Sequence, residues 1–252
     1  MSFFSVDNLS INFGGIKAVD GVTFDVGKGE VFTIIGPNGA GKTTIFNLVS
    51  RIYDPSEGRL VFDGTDITRV PPHRIAALGI ARTFQNIELF EHATLLQNLL
   101  LARHAHKQSN FWSELLFTPG TRRMEIEHRE AVEQVIDFLD LQQYRDSFIV
   151  NLPYGVRKVT ELARALCTNP KLLLLDEPSS GLNVEETEDM AFWIQDIKNL
   201  LGITVLMVEH DMSLVSAVSD RVLALNYGRP IALGTPQEVQ SHPEVMRAYL
   251  GG

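Results

Sequence analysis

Residues 30–49, "EVFTIIGPNGAGKTTIFNLV", constrain the fold more than any other stretch of the chain. An apolar run from Val31 to Ile35 reads as a strand buried on both faces. It is followed by Gly36, Pro37, Asn38, Gly39, Ala40, Gly41, Lys42, Thr43 and Thr44, and then by a helical pattern. This fits G-x-x-x-x-G-K-[ST] set between a strand and a helix, the context that identifies a phosphate-binding loop. Glycines let the backbone wrap phosphate oxygens without a Cβ in the way. The loop N–H groups and the helix dipole then face the anion. Lys42 brings a positive charge to the β- and γ-phosphates, and the Thr43 hydroxyl is placed to ligate Mg²⁺. A chance glycine-rich turn is the competing reading, and it leaves the flanking strand and helix unexplained.

Two further strand ends carry chemistry. "KLLLLDEPSS" puts Asp176 and Glu177 at the end of a second buried strand. In open α/β sheets ligands lie beyond the carboxyl ends of the strands. Asp176 is then suited to holding Mg²⁺, and Glu177, projecting differently, to polarising an attacking water. A strand end with a helix-capping acid is the plainer alternative. "ITVLMVEHDM" repeats the design and ends in Glu209, His210 and Asp211. If that strand lies beside the others, His210 reaches the same edge and can donate to a γ-phosphate. A structural histidine is the alternative.

The first third reads as strands and turns ("FFSVDNLSINF", "GVTFDV", "EVFTII", "GRLVFDG"), and Gln85 to Leu141 as helical. After Leu166, strand and helix alternate through "KLLLL", "VEETEDMAFWIQDIKNL" and "ITVLMV", which implies a parallel sheet with crossover helices. A helical block at 86–163 therefore reads as a subdomain inserted into an α/β frame made of 1–85 and 164–252. Within "NLPYGVRKVTELARAL", a short turn around Gly155 opens a helix whose apolar face is Val159, Leu162, Ala163 and Leu166. That helix start is a second anion site. No run of about 18 apolar residues is present to span a membrane, and "MSFFSVDNLS" lacks the features of a signal peptide. The one cysteine, Cys167, leaves no intrachain disulfide and no cysteine-based metal site. A net charge of −9 argues against nucleic acid as a partner.

These motifs, in this order, resemble the ATP-binding subunits of ABC transporters over essentially the full chain. The residues that carry the resemblance are "FGGIKAVDGVTFDV", "GPNGAGKTTIFNL", "ARTFQN", "NLPYGVRKVTELARAL", "LLLLDEPSSGLN", "VLMVEHDM" and the ending "RAYLGG". "FGG", "RTFQN", "LPYG", "SSGLN" and "AYLG" are most similar to the ATPase subunits of branched-chain amino acid importers. The resemblance implies a P-loop NTPase fold: a RecA-like parallel core sheet, an N-terminal antiparallel β subdomain and the inserted helical subdomain. It implies ATP and Mg²⁺ as ligands, with ATP hydrolysis as the reaction. Phe13 matches the aromatic that stacks on adenine, and Gln85 a Mg²⁺ ligand leading into the helical subdomain. Asn183, with Ser180 and Leu182, matches the loop after the catalytic glutamate. Tyr154 and Gly155 match the signature that contacts the γ-phosphate held by a partner subunit's Lys42 loop. A twofold dimer follows, as homodimer or heterodimer, with each ATP between two protomers.

The match departs at the signature. Pro153 stands where a serine hydroxyl is usual and Val156 where glutamine is. Either the backbone donors at Gly155 suffice, or the composite site is weaker and asymmetric beside a different ATPase subunit. The resemblance also implies transmembrane permease subunits, an indirect solute-binding protein outside the cell, and a cytoplasmic position on the inner face of the membrane. Ile87, Leu89 and Phe90 are candidates for docking the permease, with packing inside the subdomain as the alternative. Phe111, Trp112, Leu115 and Leu116 fit one helical face and read as core, with contact to the membrane subunit as the alternative. Competing functions are a soluble ABC ATPase acting on nucleic acid or ribosomes, an ABC system for another solute such as urea, and a small-metabolite kinase. A single motif set, no heptad run and the acidity weigh against the first.

Overall fold

The computed structural model describes residues 2–83, 87–103 and 119–250. In chain order the elements are β1 (Phe4–Phe13), β2 (Ile16–Val26), β3 (Val31–Ile35), α1 (Lys42–Val49), β4 (Glu57–Phe62), β5 (Thr65–Asp66), α2 (Pro72–Ile75) and β6 (Ile80–Arg82). Then come α3 (Leu95–Arg103), α4 (Pro119–Phe138) and α5 (Tyr154–Leu166). The chain closes with β7 (Leu172–Asp176), α6 (Val184–Asn199), β8 (Thr204–Val208), α7 (Met212–Val218), β9 (Arg221–Asn226), β10 (Arg229–Gly234), α8 (Pro236–Gln240) and α9 (Pro243–Leu250). Contacts divide it into one unit of Met1–Gln85 with Lys171–Gly252 and another of Asn86–Pro170. The second junction thus falls after α5 rather than at 163/164, because that earlier boundary would cut through a continuous helix.

The first unit is built on a sheet ordered β10-β9-β3-β8-β7-β6. Its strands run parallel from β9 through β6, and β10 is antiparallel at the edge. Every residue of β3, β7 and β8 is buried, which is why these strands appear in sequence as mostly apolar runs without alternation. A second sheet, ordered β2-β1-β4-β5, is antiparallel throughout. The two sheets share one core, in which Phe24 of β2 stacks on Phe32 of β3 at 5.0 Å between centroids. This fixes the β1–β2 hairpin over the face of the strand that feeds the phosphate loop. Asn183 caps α6: its side chain accepts from Glu186 N–H while the Glu186 side chain accepts from Asn183 N–H, both at 3.0 Å.

In the second unit, α3 starts only at Leu95, so the helical reading from Gln85 began too early. The residues before it are held by Asn98, which is fully buried. Its Nδ2 donates to the Phe90 and Thr94 carbonyls and its Oδ1 accepts from Phe90 N–H at 2.8 Å. Thr94 and Gln97 form a reciprocal cap at the helix start. In α5, Val159, Leu162, Ala163 and Leu166 are all buried, as the 3.6-residue period predicts. The turn expected around Gly155 is absent. Pro153, at φ −55° and ψ 154°, is the N-cap, and Gly155 lies inside the first helical turn. Proline is tolerated at this position because the N-cap N–H makes no intrahelical bond.

Candidate functional site

The loop from Gly36 to Gly41 joins β3 to α1. Gly41 is the N-cap of α1, at φ 99°, and no side chain caps the helix. The first amides of α1 therefore face the space enclosed by the loop. A Cβ on Gly41 would stand 2.6 Å from the Ala18 carbonyl oxygen, so only glycine lets the loop lie against β2. Lys42 Nζ donates to the carbonyls of Gly36 (2.6 Å) and Pro37 (3.1 Å), folding its side chain back over the loop. Burial pushes the Lys42 ammonium below the ordinary lysine value, and the carboxylates of Glu177, Asp176 and Glu209 oppose that shift. Thr43 is exposed and Thr44 half-buried at the first turn of α1.

The strand order brings the other two strand ends alongside. β8 lies next to β3 and β7 next to β8, so Glu177 and His210 follow adjacent strands beside the phosphate loop. Asp176 closes β7 with its side chain almost fully buried. Its Oδ2 accepts from Arg82 Nη2 at 2.8 Å, while its Oδ1 has no hydrogen-bond partner among the described residues. An unmatched buried carboxylate oxygen is a place for a metal ion's water shell. Among the described residues no group of three or more His, Cys, Asp or Glu is arranged as a metal cage. The single open carboxylate oxygen of Asp176 suits Mg²⁺, which takes one or two carboxylates and completes its shell with phosphates and water.

Glu177 sits at φ 49°, a left-handed conformation that costs a non-glycine residue about 1–3 kcal/mol. Its N–H donates to the Val208 carbonyl (2.9 Å) and its carbonyl accepts from Ser180 N–H (3.1 Å), which together hold that conformation. The three residues after β8 separate by role. Glu209 is fully buried; its Oε1 accepts from Ser179 Oγ (2.8 Å), His210 N–H (3.0 Å) and Asp211 N–H (3.1 Å). It ties the turn after β8 to the turn after β7. Asp211 caps α7 by accepting from Ser213 and Leu214 N–H. His210 is half-exposed, with Nδ1 at 3.9 Å from Glu177 Oε1 and 3.8 Å from Glu209 Oε1. It is the member of the trio turned to the open edge.

Phe13, at the end of β1, exposes 43% of its surface and meets Tyr53 edge-to-face at 5.2 Å. Tyr53 follows α1 and carries no motif signal, so only the fold reveals it as a neighbour. In the second unit, Tyr154 is exposed and Gly155 buried at the uncapped start of α5. Of the docking candidates, Leu89 is buried, Ile87 is half-buried and Phe90 is 61% exposed, so Phe90 rather than Leu89 is open to a partner. Gln85 and the cluster Phe111, Trp112, Leu115 and Leu116 lie outside the described residues. Sequence reasoning assigned no role to Arg82 or Glu209, the two buried groups that orient the strand ends. The signal was a charged residue following two apolar ones, "IAR" and "MVE", a pattern shared with many strand termini.

Residues 19–180 match the ABC transporter family, and residues 229–252 match the branched-chain amino acid ATP-binding cassette transporter family. The chain is 42% identical to the high-affinity branched-chain amino acid transport ATP-binding protein BraF of Pseudomonas aeruginosa, over 98% of this chain and 96% of that one. It is 39% identical to the corresponding LivG protein of Escherichia coli, over 98% and 97%. A solved ATP-binding cassette of an ABC transporter in its ADP conformation matches with a TM-score of 0.87 at 32% identity, covering 100% of both chains.

Proposed function

Because the chain belongs to the family of ABC transporter ATP-binding subunits, we propose that it is the energy-coupling ATPase of an importer for branched-chain or related amino acids. The observation that carries this reading is the meeting of three strand ends, β3, β7 and β8, at one edge of one sheet. The cargo class rests on the names of the relatives and on the match at residues 229–252. Partners are transmembrane permease subunits, a second ATPase subunit and, indirectly, a solute-binding protein. The chain works at the inner face of the membrane, and among the described residues no helix is long and apolar enough to cross it.

The residues divide the work. The Gly36–Thr44 backbone and Lys42 hold the β- and γ-phosphates, and Phe13 stacks on the base. Bound Mg²⁺ supplies charge neutralisation on the phosphates; Thr43, Asp176 and Gln85 are the residues that hold it. Glu177 orients and polarises the attacking water, and His210, half-exposed beside it, donates toward the γ-phosphate. Tyr154, Gly155 and the first-turn backbone of α5 cap the nucleotide bound by the other protomer. Pro153 and Val156 remove side-chain donors there, but the backbone donors of the helix start remain. ATP therefore favours a closed pair of subunits, and hydrolysis withdraws that preference.

The test is a Glu177→Gln variant saturated with Mg-ATP, examined by analytical ultracentrifugation alone and together with its cognate subunits. A dimer that dissociates when ATP is replaced by ADP is the expected result, with turnover reduced about 10²–10⁴-fold. A strictly monomeric chain under both conditions overturns the shared-nucleotide scheme. Uptake of labelled leucine by vesicles carrying the permease, ATPases and binding protein checks the cargo.

A further inference from the structure

Arg82 closes β6 and reaches two other elements of the first unit, α1 and β7. Its Nη1 donates to Asn47 Oδ1 (2.7 Å) on α1 and to Ser50 Oγ (2.8 Å) at the end of α1. Its Nη2 donates to Asp176 Oδ2 (2.8 Å) on β7. The guanidinium lies over the Phe46 ring at 5.5 Å from the centroid. The Arg82 and Asp176 side chains are 8% and 2% exposed, so water does little to screen the pair. The planar fork fixes the carboxylate: Oδ2 is engaged and Oδ1 is left over. The other charges near the phosphate loop are Lys42, Glu177 and Glu209.

We propose that Arg82 is a positioning residue that presents Asp176 Oδ1 to the metal and, by offsetting the carboxylate's charge, prevents the site from taking a free divalent cation before a triphosphate arrives. The inference rests on the reading of Asp176 as the metal carboxylate. A dication approaching Oδ1 meets a carboxylate already matched by Arg82, and Lys42 offsets one of the two remaining carboxylates, Glu177 and Glu209. The small net negative charge left does not hold a free dication, and the phosphates supply the rest. The same guanidinium ties Asp176 to α1, the helix whose first turn holds the phosphates, so both halves of the metal site are set by one side chain.

The test uses Mn²⁺ as the probe, read by electron paramagnetic resonance on the nucleotide-free full chain. The wild type shows no saturable Mn²⁺ binding in the micromolar range but binds Mn²⁺ with ATP. Arg82→Gln keeps a donor for Oδ2 and removes the charge; it binds free Mn²⁺ about tenfold tighter or more. Arg82→Lys keeps the charge and behaves as the wild type. The gain disappears in the Arg82→Gln/Asp176→Asn double variant. Equal Mn²⁺ affinity in Arg82→Gln and wild type overturns the proposal, as does a gain that survives in the double variant. If Arg82→Gln fails to fold, the wild type still decides: micromolar nucleotide-free Mn²⁺ binding that Asp176→Asn abolishes overturns the proposal. The underlying reading is tested separately. If Asp176→Asn leaves the Mn²⁺ dependence of ATP binding unchanged, Asp176 is not the metal carboxylate.

Discussion

Gly41→Ala and Gly39→Ala place the same methyl group in the same loop under different constraints. Both backbones are left-handed, at φ +99° and +80°. That alone costs an alanine about 1–2 kcal/mol. At Gly39 a Cβ meets nothing within 4 Å, and the conformational strain is the whole effect. At Gly41 it stands 2.6 Å from the Ala18 carbonyl oxygen and 3.4 Å from Gly228 Cα. Backbone atoms cannot rotate away, so β2 or the loop must move, at about 1–3 kcal/mol for an overpacked contact. The predicted losses are therefore about 1–2 kcal/mol for Gly39→Ala and about 2–5 kcal/mol for Gly41→Ala, the larger being a sizeable part of a typical total of about 5–15 kcal/mol. Urea unfolding of the nucleotide-free chain, followed by circular dichroism, measures both. Equal losses would show that the Ala18 contact carries no weight. No loss in either would refute the backbone argument itself.

The Cys167 thiol is buried, and burial pushes its pKa up to about 12 against the opposing influence of Arg103. A disulfide-exchange reagent at pH 8 should leave the native chain unmodified and titrate the thiol only in denaturant; rapid native labelling would contradict the packing of α5. Asp66 accepts from Thr68 and Arg59, which lower its carboxyl from the ordinary 3.8 to about 2. Because the folded value lies below the unfolded one, the stabilisation is present above the ordinary value and is lost as pH falls through about 2. Asp66→Asn should thus reduce stability at neutral pH and make no difference once the pH is well below about 2, and a carboxyl resonance of Asp66 titrating near its ordinary value would refute this.

The parts of the fold visible in sequence are those fixed by local chemistry. β3, β7 and β8 are buried on both faces, so their residues are predominantly apolar whatever their neighbours. The phosphate loop needs glycines at set positions, and those sit next to one another in the chain. What escaped detection depends on which strands become neighbours. Arg82 and Asp176 are 94 residues apart, and nothing in the spacing says that a three-residue strand, β6, will lie beside β7. Glu209 stood within a motif yet gained its role only from Ser179 across the turn. Leu89 and Phe90 are both apolar, and no helical or strand period orders them, so which faces inward was decided by Asn98 gripping the Phe90 backbone. At Gly155, proline two residues earlier was the stronger signal, since it sets a helix start where glycine suggested a turn.

The strand that feeds the phosphate loop is made early and finished late. β3 is flanked by β8 and β9, and Val31 N–H finds its partner in Asp220 Oδ2, 189 residues further along. Until the ribosome has released nearly the whole polypeptide, both edges of β3 lack their hydrogen-bonding neighbours and its apolar faces lack much of their cover. A shortened product ending before β8 would carry an intact nucleotide-binding motif with no sheet to hold it, exposed to sticking to other chains. Synthesis of this protein should therefore depend on factors that shelter unfinished chains, and nucleotide binding should appear as the last event of its maturation.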